Sequence, residues 1–299
     1  MRGESEGQKG SKNKSFSLVI LSSCTLDLCL RRGILKLSVA MTLSETGNIP
    51  VALFKGSLTV KVKKAVKAGY SGIEVMSAYP ENIKASDLKL IINNGLEIPA
   101  FGTGGMFLKR NATLMSRDKK KAGEALCALY ALINVASLSK GLINIGSFKG
   151  RTLGEKAYER YFKAVLKDAL NYANRKNVRI AIEPINRYET DYVSTVAEGL
   201  ELIKAVKKDN FGMVLDSFHM NIEEPDIEKA VKKAGKNIFH VHLGDSNRWP
   251  PGYGHFDFKT FIRALRKEKY DGYLSAELLQ KPDADTAGFD NATFIKKLI

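Results

Sequence analysis

Four side chains able to hold a hard cation recur through the second half of the chain: Glu183, Asp216, His242 and Glu277. Each stands at the end of a short apolar or β-branched run, VRIAIE, FGMVLD, IFHVHL and GYLSAE in turn. Successive spacings are 33, 26 and 35 residues, each about one strand–helix unit of an α/β barrel. If the runs are neighbouring parallel strands, the four side chains rise to one rim and converge there. Any one of them alone reads as a capping acid or a satisfied core histidine. Four on consecutive strands do not, because grouped buried carboxylates repel unless a cation or a proton compensates them. Three carboxylates and one imidazole make a hard, oxygen-rich set. It suits Mn²⁺, with Co²⁺ or Mg²⁺ as alternatives, better than a thiolate-type zinc site.

The elements that would position these residues are legible from Ile34 onward. Eight strand-like runs are predicted at 35–42, 72–76, 97–102, 141–146, 178–183, 211–216, 238–243 and 272–277. Longer amphipathic stretches alternate with them, at 58–68, 85–94, 118–139, 155–176, 193–208, 226–235, 257–268 and about 285–298. Alternation of this kind predicts repeated βα units on a parallel sheet. Gly69 and Gly95 fall just past the last periodic residue of their helices, where a left-handed cap is wanted. Eight units in one chain of 299 residues predict a single (β/α)8 TIM barrel over 34–299. A doubly wound sheet would show a glycine-rich phosphate loop after the first strand, and the stretch after Thr42 has none.

Composition excludes other classes. Apolar residues make up 44% and charged residues 26%, the balance of a globular chain with a sizeable core. No apolar run is long enough to span a bilayer. The net charge of +15 would suit a nucleic-acid binder, yet the lysines are spread along helices rather than gathered with aromatics into a stripe. We therefore expect a solvated basic surface with neither nucleic-acid nor membrane partners. Three cysteines, Cys24, Cys29 and Cys127, are too few for a disulfide framework and read as small buried or tail residues in a cytoplasmic protein. Residues 1–33 read as an accessory or poorly ordered extension. Their apolar run from Phe16 to Leu21 is short for a signal peptide, and Glu4 and Glu6 precede it.

Three segments carry a family resemblance: EPINRYE from Glu183, LDSFHMNIEE from Leu215 and HLGDSNR from His242. They resemble the D-tagatose 3-epimerase family of ketose 3-epimerases, which sits within the xylose-isomerase-like barrels. The likeness runs from about residue 35 to the end and is strongest over 178–277. Within the family, the FGTG stretch at 101–104 and NRWPPGYGHFDF at 247–258 look closest to a branch acting on keto-hexonates such as 5-keto-L-gluconate.

The resemblance implies that Glu183, Asp216, His242 and Glu277 hold the metal and that the two glutamates are also the acid–base pair. It implies that Glu189, His219 and Arg248 contact the carbonyl end of a small ketose or keto-sugar acid, and that the enzyme is a homodimer or homotetramer. Elementary chemistry agrees. A proton beside a ketone leaves only if the developing enediolate is stabilised, and a divalent cation at its two oxygens does that. Inverting the carbon also needs a base on one face and an acid on the other.

Two features depart from the family or extend it. Leu278 and Leu279 follow Glu277 where ketose enzymes often carry an aromatic. Lys149 and Arg151 lie on the loop after the fourth strand, where Arg151 reads either as a partner for a substrate carboxylate or phosphate, or as an ordinary exposed loop base. The same residues bear on other functions. An abasic-site endonuclease of this superfamily needs several more histidines than His219, His240, His242 and His255. An aldose–ketose isomerase resembling hydroxypyruvate isomerase shares the enediolate and differs in which carbon is reprotonated. A non-catalytic binding barrel has no use for two opposed glutamates. His240, two residues before His242, shares its strand face and reads as packing.

Overall fold

A computed structural model describes residues 35–299. The expected extension over 1–33, with Cys24 and Cys29, lies outside the described residues. Eight strands close in chain order into one parallel barrel: β1 (Lys36–Thr42), β2 (Gly72–Met76), β3 (Ala100–Gly102), β4 (Leu142–Ile145), β5 (Ile180–Ile182), β6 (Phe211–Asp216), β7 (Ile238–Leu243) and β8 (Tyr273–Ala276). β8 returns to β1 in the register Leu37↔Leu274 and Val39↔Ala276.

Among the described residues ten α-helices accompany them: α1 (Leu58–Ala68), α2 (Ala85–Asn93), α3 (Gly104–Arg110), α4 (Lys119–Ala136), α5 (Lys156–Arg175), α6 (Val196–Val206), α7 (Ser217–Glu223), α8 (Ile227–Ala234), α9 (Phe258–Lys267) and α10 (Ala284–Ile295). Most open on a side chain that accepts from a free backbone N–H of the first turn, as Ser57, Asp118, Asp226, Asp257 and Asp283 do. Thr195 and Glu198 form a reciprocal capping box at α6. Gly69 closes α1 at φ 79°, and Gly95 stands at φ 79° just past α2. The eight large helices fall where periodicity placed them. α3 and α7 were not expected; both sit in loops at the carboxyl ends of strands. Cys127 is exposed on α4, contrary to its reading as a buried or tail residue, because it falls on the outward stripe with Lys120 and Glu124.

Alternation along the strands separates two cores. Leu37, Val39, Met41, Ile73, Val75, Ile143, Ile180, Ile182, Met213, Leu215, Val241 and Leu274 join the helices in one large apolar cluster. Their neighbours in sequence face the barrel axis. The inner face is filled toward the amino end by Ala100, Leu142, Ala181 and Val214 packed on Phe239. The same face carries Ser38, Glu74, Asn144, Glu183, Asp216, His240, His242, Ser275 and Glu277, all buried. Because the side-chain period is two, a one-residue slip in any of β5–β8 would turn its functional residue outward.

Candidate active site

β6 ends on Asp216, and β7 places His242 one residue before its end. Glu183 and Glu277 come one residue after β5 and β8. All four are buried, and one donor atom of each lies within 4.8 Å of the others. His242 Nδ1 is the centre of the group: it lies 2.5 Å from Glu277 Oε2, 3.0 Å from Glu183 Oε1 and 3.7 Å from Asp216 Oδ2. One ring nitrogen cannot satisfy three carboxylates. Asp216 Oδ2 and Glu277 Oε2 consequently have no well-directed hydrogen bond among the described residues, although both are buried. Buried oxygens left this way call for a cation, so the donor set fits a divalent metal.

The supporting groups leave each carboxylate little freedom. Asn144 Nδ2 donates to Glu183 Oε2 at 2.8 Å. Opposite it, a Cβ on Gly146 would stand 2.6 Å from that same oxygen, so only glycine allows the approach. Asp216 divides its oxygens: Oδ1 caps α7 by accepting from Phe218 N at 2.7 Å and His219 N at 3.3 Å, and Oδ2 faces the cluster.

Charge balance differs across the group. Burial alone would raise every carboxyl here. At Asp216 the imidazoles of His219 and His242 outweigh it and hold the acid well below its usual range. Glu183 is held below its usual value by His242 in the same way. At Glu277 burial prevails and the carboxyl is raised. His242 is held well above the usual imidazole value against its own burial, by Glu74, Glu277 and Glu183.

Beside the cluster lies a cavity of about 210 Å³, and Glu189, His219 and Arg248 all line it. Asn186 ties the first two together. Its Nδ2 donates to Glu189 Oε1 at 2.9 Å and lies 2.8 Å from His219 Nδ1, toward which its backbone N–H also points at 3.4 Å. Asn186 Oδ1 accepts from Tyr188 N at 3.0 Å, which fixes the amide's orientation. His219 Nδ1 therefore faces two donors and must be the acceptor, leaving the ring hydrogen on Nε2. That Nε2 is buried without a partner among the described residues. Burial holds the His219 imidazole below its usual value, consistent with a neutral ring. Arg248 approaches Glu189 Oε1 at 3.4 Å and Glu277 Oε1 at 3.9 Å, with its guanidinium 5.1 Å from the centre of the Phe218 ring.

Arg151 takes no part in this cavity's lining. It is exposed and donates to Glu189 O at 2.8 Å, so it braces the loop of a lining residue instead. Lys149, on the same loop, is wholly buried; its Nζ reaches Glu183 O at 3.2 Å and Gly146 O at 3.4 Å. Burial pulls its ammonium down to about 7, against the pull of nearby acids that begin with Glu183. Leu279 lines the cavity, while Leu278 joins the outer core.

Two functional positions escaped the sequence reading. Glu74 on β2 is fully buried and binds both His240 and His242, so His240 does more than pack. Its only sequence signal is a glutamate inside the apolar run GIEVM. Asn186 was visible within EPINRYE but carried no role there.

The family pattern described as "Xylose isomerase-like TIM barrel" matches residues 62–298. A probable ketose 3-epimerase of Synechocystis sp. is 30% identical over 246 residues, covering 78% of this chain and 83% of its own. This chain belongs to that family. It is thus a carbohydrate epimerase of the isomerase class. An L-ribulose 3-epimerase of Methylomonas sp. is 29% identical over 71% of the chain and 75% of its own length. A D-psicose 3-epimerase of Agrobacterium fabrum is 29% identical over 72% and 77%. Among solved structures, a D-allulose 3-epimerase from Methylomonas sp. in complex with D-allulose superposes with a TM-score of 0.74 at 23% identity, over 89% of this chain and 98% of its own. At that identity the likeness speaks for the fold.

Proposed function

We propose that the chain is a metal-dependent sugar epimerase that inverts the carbon next to the ketone of a small ketose or keto-sugar acid, a 3-epimerase with Glu183 and Glu277 as its acid–base pair. The observation that carries this reading is the convergence of three buried carboxylates on His242 Nδ1, with Asp216 Oδ2 and Glu277 Oε2 unsatisfied. Glu183, Asp216, His242 and Glu277 would hold the ion, and an oxygen-rich set of this kind suits Mn²⁺, with Co²⁺ or Mg²⁺ as alternatives. When bound, such an ion supplies positive charge beside substrate oxygens that become anionic as the proton leaves.

The rest is the work of side chains. Glu183 and Glu277 stand three strands apart on the eight-strand rim, so they reach the substrate from different sides. One takes the proton from the carbon beside the ketone, and the other returns a proton to the opposite face; the reverse reaction exchanges the roles. His219 Nε2–H and Arg248 donate to oxygen at the carbonyl end, and Glu189 accepts from a neighbouring hydroxyl. The far wall is apolar, with Met76, Phe107, Leu108 and Leu279, and among the described residues Arg248 is the one arginine lining the cavity, with no lysine. A neutral ketose suits that wall better than a keto-hexonate, and the relatives' names, D-psicose and L-ribulose 3-epimerase, point the same way.

Proton NMR in D₂O, with a panel of ketoses and keto-hexonates and added Mn²⁺, tests the reading. One deuterium at the inverted C3 and none at C1 is the expected result. Deuterium at C1 with an aldose product would replace it with the isomerase reading.

A further inference from the structure

The barrel axis holds a fourth buried carboxylate that the proposed chemistry leaves unused. Glu74 projects from the middle of β2 and is 0% exposed. Its Oε2 lies 3.0 Å from His240 Nε2 and 3.1 Å from His242 Nε2, and its Oε1 lies 3.2 Å from His242 Nε2. These two imidazoles, nearly perpendicular at 88° with centres 5.3 Å apart, are its hydrogen-bond partners among the described residues. On the neighbouring strand β3, a Cβ on Gly102 would stand 3.2 Å from Glu74 Oε1, so a side chain there would crowd the carboxylate.

An anionic carboxylate can only accept. Both Nε2 atoms must then carry hydrogen, and the second nitrogen of His242 is the one free to change its bond. That nitrogen, Nδ1, is the atom turned to Glu183, Asp216 and Glu277. We propose that Glu74 is a positioning residue that pins His242 with its hydrogen on Nε2 and presents Nδ1 to the carboxylate cluster as a ligand. This inference rests on reading the cluster as a divalent-cation site. Fixing a ligating ring through its far nitrogen sets both its tautomer and its orientation. His240 shares the carboxylate and keeps it seated from the amino-end side.

Glu74→Gln tests the arrangement with nearly unchanged shape. The amide offers one oxygen and one NH₂ group where two oxygens stood, so one face of it opposes an imidazole N–H with another donor. His242 relieves that conflict by moving its hydrogen to Nδ1, where it blocks ligation. Mn²⁺ affinity, read as free Mn²⁺ by electron paramagnetic resonance, should fall by about 10–100-fold. Glu74→Asp keeps the charge at a longer reach and should lose less, and His240→Gln, which leaves Glu74 to His242, should lose less again. In the metal-free protein, ¹H–¹⁵N spectra should show protected imidazole Nε2–H signals for His240 and His242, with that of His242 lost in Glu74→Gln. Equal Mn²⁺ affinity in a folded Glu74→Gln protein would overturn the inference. If wild type binds no Mn²⁺, the metal reading fails by itself, and an unchanged His242 Nε2–H signal in Glu74→Gln then overturns the positioning role. Should Glu74→Gln fail to fold, the same measurements on Glu74→Asp decide.

Discussion

The two mouths of the barrel offer a comparison in which size and chemistry part company. The roomier cavity, about 430 Å³, opens at the amino end between Phe239, Tyr273, Arg179 and Lys140; the one beside the carboxylate cluster holds about 210 Å³. β7 lines the first with His240 and, two residues on along the same face, carries His242 into the carboxylate cluster beside the second. At the amino end the charges are hydrated: Lys36 pairs with Glu97 at 2.9 Å with both side chains well exposed, and Arg179 lies over the Phe239 ring at 4.7 Å. Charges so exposed are screened and do little work. At the carboxyl end the charges are buried among fixed partners, where the same Coulomb forces act at full strength. The difference follows from where strands end. Each carboxyl end runs into a loop that can carry a helix such as α3 or α7, an asparagine such as Asn186, or a close-approach glycine such as Gly146.

The sharpest way to break this contrast is to remove the cation. EDTA should abolish epimerisation and Mn²⁺ or Co²⁺ should restore it, and Asp216→Asn should weaken metal binding; full turnover by stripped protein would erase the distinction between the mouths. Next in size are Glu183→Gln and Glu277→Gln. Each should lower kcat by about 10²–10⁴-fold while equilibrium dialysis still shows bound sugar, and each should retain D₂O exchange in only one substrate epimer. Asn186→Ala leaves Nδ1 of His219 only the backbone N–H and frees one oxygen of Glu189 from the amide, and should cost about tenfold in kcat/KM, the effect of about one buried hydrogen bond. Smallest are Arg179→Ala and Lys140→Ala at the amino end, which should change kcat/KM by less than about twofold. A larger loss there would show that the lower cavity takes part in turnover.

How far each region was legible follows the same division. Strand–helix alternation identified the eight strands and eight of the ten helices, because burying one face of each element imposes a period that local sequence displays. The very short β3 and β5, three residues each, were expected longer, since Ile98 and Val178 are already buried before the ladders begin. α7 was hidden because its first turn is capped by Asp216, which the spacing had already reserved as a ligand. Glu74 was illegible for a different reason. A lone glutamate in a strand ordinarily faces water, and only closure of the sheet makes that face an interior. Lys149 was placed on its loop, but nothing local shows that the loop folds it under the backbone of Glu183. The candidate ligands were legible because their spacing matches the βα repeat, whereas their supports depend on contacts across the axis that no periodicity records.

Asp216 gives one of its oxygens to the first turn of α7 and the other to the cluster, and α7 also carries His219. On the proposed function, the grip on a cation and the grip on a sugar's carbonyl end hang from one carboxylate. Fraying of that turn would loosen both together, and filling the cluster would knit both together. Amide hydrogen exchange at Phe218 and His219 would therefore act as a gauge of the cluster's occupancy, read without any turnover.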